Sequence, residues 1–216
     1  MMRAEIALMN KQRWAAPPDR PTELSNIELR YGSVVRILVE MGFRGSTSEH
    51  TFNDYIKSLR KLGLPVSSKT APRKGHAIIY SFENVMDLVL AFLLRVYNGV
   101  PDAVLRQLVE ARPELHRLYW LAYRDRCSGL GSPFRIGKGD GSFEIAGVFL
   151  DLKLNHAGGR LVGFGPPVAL SPMEAFARFA QSDITSRAFL PMRLSELCER
   201  VAGLARQEMM NRRADG

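Results

Sequence analysis

The sequence predicts an α+β chain. A mainly helical N-terminal part, built as helix, turn, helix and basic hairpin with added helices, precedes a small part made of a β-hairpin plus helices. Three observations lead there. Apolar residues recur at helical spacing through most of the stretch from residue 33 to residue 124. The window Tyr55–Phe82 holds Lys57, Arg60, Lys61, Lys69, Arg73 and Lys74 and no carboxylate, within a chain of net charge +8. At Cys127 the composition turns to glycine, serine and proline, and strand-like runs follow.

Four segments result: a flexible arm over 1–22, a helical domain over 23–126, a linker over 127–142, and an α+β part over 143–216 that dimerises or senses a signal. The 216 residues, 46% of them apolar, allow one or two compact domains with real cores. In the arm, Pro17, Pro18 and Pro21 disrupt any helical period, and Trp14 docks on the folded body or marks a flexible segment.

Ser33–Met41 predicts a first helix, with Val34, Ile37, Leu38 and Met41 in phase. Gly42–Glu49 is a turn rich in cap formers. A second helix runs from His50 or Thr51 to Leu62, where Phe52, Tyr55, Ile56, Leu59 and Leu62 make an apolar stripe and Gly63 ends it. Leu64–Ser68 is extended, Thr70–Gly75 is turn chemistry, and His76–Tyr80 returns as a strand. Ser81 caps a helix to about Tyr97, Asn98-Gly99 stops it, and Pro101 opens another over Asp102–Ala111. Pro113 breaks that helix, and Glu114–Arg124 restarts it.

Beyond the linker, Phe143–Leu154 and Arg160–Phe164 read as strands joined by the turn Asn155–Gly159. Ser171-Pro172-Met173-Glu174 is a capping box that opens a helix to about Gln181, with Ala175, Phe176 and Phe179 inward. A last helix, about Pro191–Asn211, carries Leu194, Leu197, Val201 and Leu204 at alternating three- and four-residue steps. That seam packs on the domain or makes the contact of a homodimer.

The strongest constellation lies between Ser33 and Tyr80. A helix that reads DNA must bury one side and show the major groove a side of donors and acceptors. The candidates are Ser48, His50, Asn53, Asp54, Lys57, Ser58, Arg60 and Lys61 on or beside the second helix. Asn53 and Lys57, in its N-terminal half, are the expected readers, Asn53 of adenine edges; Arg60 and Lys61 are expected to hold the backbone. Ser67, Ser68, Lys69, Thr70, Arg73 and Lys74 supply donors around a hairpin tip suited to the minor groove or the phosphates. The sequence pI of about 9.8 agrees with a nucleic-acid partner.

This order of elements resembles the winged helix-turn-helix domain of MerR-like regulators over roughly residues 33–109. The likeness rests on Leu59-Arg60-Lys61-Leu62-Gly63-Leu64-Pro65, on Lys74–Tyr80, on Val85–Tyr97, and on Asn98-Gly99-Val100-Pro101 leading into Leu105. His76 stands where the family has an aromatic residue, and Ala77 or Ile78 where it has the wing arginine; the turn Gly42–Glu49 is longer than the family's. The resemblance implies double-stranded DNA binding as a homodimer and names no small-molecule effector.

Other chemistry has little support in the residues. His50, His76, His116 and His156 are scattered, Cys127 and Cys198 are lone thiols that serve as apolar filling, and no metal or cofactor is expected. Gly137-x-Gly139-x-Gly141 lacks the setting of a dinucleotide fingerprint and reads as a turn. No secretory pattern opens the chain, and no apolar run reaches the ~18 residues of a membrane span; a cytoplasmic protein is expected. The resulting expectation is a sequence-specific DNA-binding transcriptional regulator, not an enzyme. The alternatives are an architectural or mobile-element factor of excisionase or partition type, an enzyme with chemistry around Asp151, Lys153, His156 and Arg160, and a module that offers its basic face to an acidic protein.

Overall fold

A computed structural model describes residues 19–65, 78–97, 99–128, 134–136, 143–145, 147–181 and 191–214. Residues 1–18 of the expected arm, with Trp14, residues 66–77 of the expected hairpin, the loop 137–142 and the side chain of Cys127 lie outside the described residues. The fold is mixed α+β with small antiparallel sheets.

A short helix α1 (Thr22–Ser25) precedes α2 (Tyr31–Glu40) and α3 (Glu49–Lys61). Ser48 caps α3, its hydroxyl accepting the Thr51 N–H at 3.2 Å, and Glu49 sits favourably in the first turn. Phe52, Ile56 and Leu59 bury the inner stripe of α3, whereas Tyr55, expected in that stripe, is 42% exposed. Between α1 and α2, Leu29 pairs with Tyr80 in an isolated antiparallel bridge, with N–H to O=C distances of 2.9 and 2.8 Å. The chain after residue 77 therefore returns beside the start of α2.

Helix α4 (Phe82–Phe92) opens on a capping box in which Ser81 and Asn84 satisfy each other's backbone amides. It continues into a π-helical stretch, Leu93–Tyr97. Nearly every residue of α4 is buried, so it is the central rod of the core. Helix α5 (Asp102–Leu105) leads to α6 (Gln107–Ser128). Pro113, expected as a break, lies inside α6 instead. It costs one backbone bond, but its ring faces solvent and tertiary anchors hold both flanks. Leu108 and Leu115 are buried, and Arg112 is bonded to Asp87 of α4 and to the Gly63 carbonyl.

The expected long strand 143–154 is also interrupted. Strands β1 (Phe134–Ile136) and β2 (Phe143–Ile145) form one antiparallel pair, so part of the expected linker is strand. Strand β3 (Phe149–Asp151) lies in another sheet, between β6 (Val168–Leu170) and β7 (Pro191–Arg193). Gly147, at φ 103°, turns the chain between these pairings, a conformation that excludes most side chains. In the hairpin of β4 (Leu154–Ala157) and β5 (Arg160–Phe164) the second strand forms where expected, but Asn155–Ala157, expected in the turn, belong to β4, and the chain turns at Gly158 and Gly159, both at positive φ. Gln107 of α6 docks it: its Oε1 accepts the Phe164 N–H at 3.1 Å, and its Nε2 donates to the Val162 carbonyl at 3.3 Å.

Helix α7 (Pro172–Gln181) begins with the expected capping box, Ser171 N–H reaching Glu174 at 2.8 Å and Glu174 N–H reaching Ser171 at 3.3 Å. Ala175 is buried as expected, but Phe176 and Phe179 are 50% and 65% exposed. Helix α7 contacts β3 and β6, and Pro172 and Ala175 are its buried residues.

The last helix, α8 (Leu194–Ala214), changes the expected domain plan. It packs along α6, α4 and α2, and one continuous core extends from Leu24 to Ala205. Arg36 of α2 is bonded to Glu208 of α8, and Arg200 donates to the Glu40 carbonyl at 2.9 Å. The seam expected as a dimer contact is corrected accordingly. Leu194 and Val201 are fully buried within one chain, and Leu197 and Leu204 are partly buried against the same core. Of the two roles expected for the seam, packing on the domain is therefore the one seen for Leu194 and Val201, which have no apolar area left to bury against a second copy.

Candidate nucleic-acid interface

Helix α3 turns a polar face to solvent, and tertiary contacts divide that face into a centre line and two flanks. His50, Asp54, Lys57 and Lys61, at i, i+4, i+7 and i+11, form the exposed centre. His50 Nε2 lies 3.3 Å from Asp54, and Lys57 Nζ donates to the other Asp54 oxygen at 2.9 Å. The Lys57 hydrogen bond lowers the Asp54 carboxyl below its usual range, and the same bond raises the Lys57 ammonium. Both groups are charged at neutral pH, and Asp54 holds Lys57 lengthwise along the helix.

One flank is built by α2. Tyr31 donates its hydroxyl to Asn53 Oδ1 at 3.1 Å, and the Arg60 guanidinium sits 6.0 Å from the centroid of the Tyr31 ring. Burial raises the Tyr31 phenol, which keeps it protonated and able to donate. Asn53 and Arg60 are half-buried here. Asn53 therefore lies beside the centre line, with its carboxamide oxygen accepting from Tyr31.

The other flank is built by the π-helical stretch. Arg95 donates to Ser58 Oγ, stacks 5.8 Å from the Tyr55 ring centroid and pairs with Asp102 at 3.3 Å. Ser58 also donates to the Tyr55 carbonyl at 2.8 Å, so its hydroxyl is engaged on both sides. Tyr31 and Arg95 are the residues that reading the sequence missed. Tyr31 carries no local signal, because its partner is 22 residues away. Arg95 had one: it is the sole charged residue between Leu88 and Tyr97.

The C-terminus of α3 is clamped from behind. Asp87, 2% exposed, takes Arg112 Nε at 2.8 Å, the Tyr119 hydroxyl at 3.4 Å and His116 at 3.3 Å. Arg112 Nη2 then donates to the Gly63 carbonyl at 2.7 Å. A second buried carboxylate, Glu83, collects Arg20 at 2.6 Å, Ser81 at 2.7 Å and the Trp120 indole at 2.8 Å. Burial pushes Glu83 up, but these bonds outweigh it and hold the carboxyl below its usual range.

Ser67, Ser68, Lys69, Thr70, Arg73 and Lys74 lie outside the described residues. The residues of the enzyme alternative do not converge. Asp151 is buried and bonded to Arg178, while Lys153, His156 and Arg160 are exposed on or beside the β4–β5 hairpin. Burial raises Asp151, only partly offset by Arg178 and Lys153, and its Oδ1 has no hydrogen-bond partner among the described residues. Among the described residues no group of three or more His, Cys, Asp or Glu side chains is disposed to hold a metal ion, and no helix is long and apolar enough to cross a membrane. Cys198 is buried with its thiol pushed well up by desolvation, and it donates to the Tyr119 carbonyl at 3.6 Å, as apolar filling would.

No protein-family model matches the chain, and comparisons with curated proteins and with solved structures return no match either.

Proposed function

We propose that the chain is a sequence-specific double-stranded DNA-binding regulator that acts as a homodimer, with α3 as its recognition helix. The observation that carries the reading is the division of α3. Phe52, Ile56 and Leu59 lock it to the core, and His50, Asp54, Lys57 and Lys61 stand in one exposed row. Three further facts support it. Helix α2 and the turn after it precede α3 in helix-turn-helix order. The Leu29–Tyr80 bridge returns the chain beside α2 directly after the stretch that contains Lys69, Arg73 and Lys74. The net charge is +8.

The test is retention of a duplex selected from a random pool. Lys57→Ala combined with Arg60→Ala should weaken retention at least tenfold with the far-UV spectrum unchanged; equal retention overturns the assignment of α3. If each subunit neutralises three or four phosphates, log affinity should fall against log salt with a slope of roughly −5 to −7 for the dimer. Sedimentation of the complex decides the stoichiometry, and a single copy on a non-repeated site would overturn the dimer.

A further inference from the structure

Two arginines flank the exposed row of α3, one on each side, and each rests on a tyrosine. At ~100° per residue, Asn53 and Arg60 fall roughly 80° to one side of the row, and Ser58 and Tyr55 roughly 100° to the other. The Arg60 guanidinium lies 6.0 Å from the Tyr31 ring centroid. On the opposite flank the Arg95 guanidinium lies 5.8 Å from the Tyr55 ring centroid and donates to Ser58 Oγ. Arg60 belongs to α3 itself, whereas Arg95 is brought there by the π-helical stretch Leu93–Tyr97, a backbone form that gathers at functional sites.

If α3 lies in the major groove, as proposed above, its two flanks face the two sugar-phosphate walls. The groove is ~12 Å wide and a helix with its side chains is ~10–12 Å across, so a guanidinium on each flank meets a different strand. The present partner of Arg95 marks the edge that a phosphate would take. Nε and Nη2 face the two oxygens of Asp102, each at 3.3 Å, while Nη1 is the nitrogen on Ser58. That fork accepts the paired oxygens of a carboxylate or of a phosphate alike. The Asp102 side chain is 47% exposed, and both contacts are long for charge-assisted bonds, so the pair exchanges readily. Tyr55 and Ser58 hold the guanidinium from the α3 side and leave the Nε–Nη2 edge to trade one anion for another.

We propose that Arg95 binds a DNA phosphate on the strand opposite the one held by Arg60, and that Asp102 occupies its fork in the free protein. The contact positions α3 across the groove and carries no base preference.

The experiment measures affinity against salt for the full chain, Arg95→Ala, Asp102→Asn and the double variant, each first checked by circular dichroism for an unchanged fold, on a selected and an unselected duplex. Arg95→Ala should weaken both duplexes by a similar factor and make the log–log salt slope shallower by roughly 2 for the dimer, one phosphate per subunit. Asp102→Asn should tighten both by roughly two- to fivefold, the worth of an exposed ion pair. The double variant should bind like Arg95→Ala, because the gain depends on the freed guanidinium. An unchanged slope in Arg95→Ala, or the same gain from Asp102→Asn in both backgrounds, overturns the inference while leaving DNA binding intact. Asp102→Asn leaves the Ser58 and Tyr55 contacts in place, so unchanged affinity in that variant overturns it even where Arg95→Ala fails to fold. Failure of the parent to retain any duplex overturns the recognition-helix reading itself, and this inference with it.

Discussion

Replacing Asp87 by alanine tests how the back of α3 is held. Asp87 is 2% exposed, and three side chains converge on it: Arg112 at 2.8 Å, His116 at 3.3 Å and Tyr119 at 3.4 Å. The Arg112 side chain is itself only 19% exposed, so removing the carboxylate leaves a guanidinium in a low-dielectric setting with the Gly63 carbonyl as its remaining bond. Breaking one partner out of such a pair costs ~3–5 kcal/mol. In a chain of this size each kcal/mol moves the melting temperature by ~2–4 °C, so Asp87→Ala should lower it by ~6–20 °C. Asp87→Asn keeps an acceptor for Arg112 and removes only the charge, and should cost a smaller ~1–2 kcal/mol. The assay is thermal unfolding followed by circular dichroism at neutral pH, together with hydrogen exchange. Because Arg112 relays the contact to Gly63, the amides of Leu62, Gly63 and Leu64 should exchange faster in Asp87→Ala than those of α8. A melting temperature within ~2 °C of the parent would refute the reasoning, since it corresponds to no more than about 1 kcal/mol.

Further outcomes follow from the same geometry. Gly147→Ala should destabilise by ~2–5 kcal/mol in urea unfolding, because the residue sits at φ 103°, its Cβ would come 2.8 Å from that of Ser195, and Ser195 Oγ holds the Val148 N–H at 2.7 Å; Gly163→Ala, which meets only the end of the Gln107 side chain at 2.7 Å, should cost less. Asp151→Asn should leave stability at pH 7 equal or higher, because burial holds the folded carboxyl above its unfolded value. The penalty of the charged Asp151 is present above that raised value and is gone once pH falls below the unfolded value of ~3.9, so the variant's advantage should vanish in melts at pH 3. A loss of stability at pH 7 would mean that the Arg178 contact outweighs desolvation.

Some parts of this fold are legible in the residues alone. The cap at Ser81, the capping box at Ser171, the Gly158-Gly159 part of the expected turn, and the stripe of Phe52, Ile56 and Leu59 emerge as expected. Each is decided within about four residues, by caps, by backbone freedom or by helical period, and needs no knowledge of distant chain. The same local chemistry marks residues 49–61 as an amphipathic helix with a polar face.

What only the tertiary structure decides depends on partners far along the chain. Pro113 stays helical because Arg112 reaches Asp87 and Gly63, 25 and 49 residues away. Leu194 and Val201 repeat like a dimer seam, yet α4 and α6 already cover them. Phe176 and Phe179 follow an inward pattern, yet they are 50% and 65% exposed. Asn53 has the same side chain in every arrangement, but that its carboxamide oxygen accepts the Tyr31 hydroxyl is decided by tertiary contact. Periodicity states that a residue has an apolar or a polar side; packing alone states what faces it, because that contact depends on where the rest of the chain has gone.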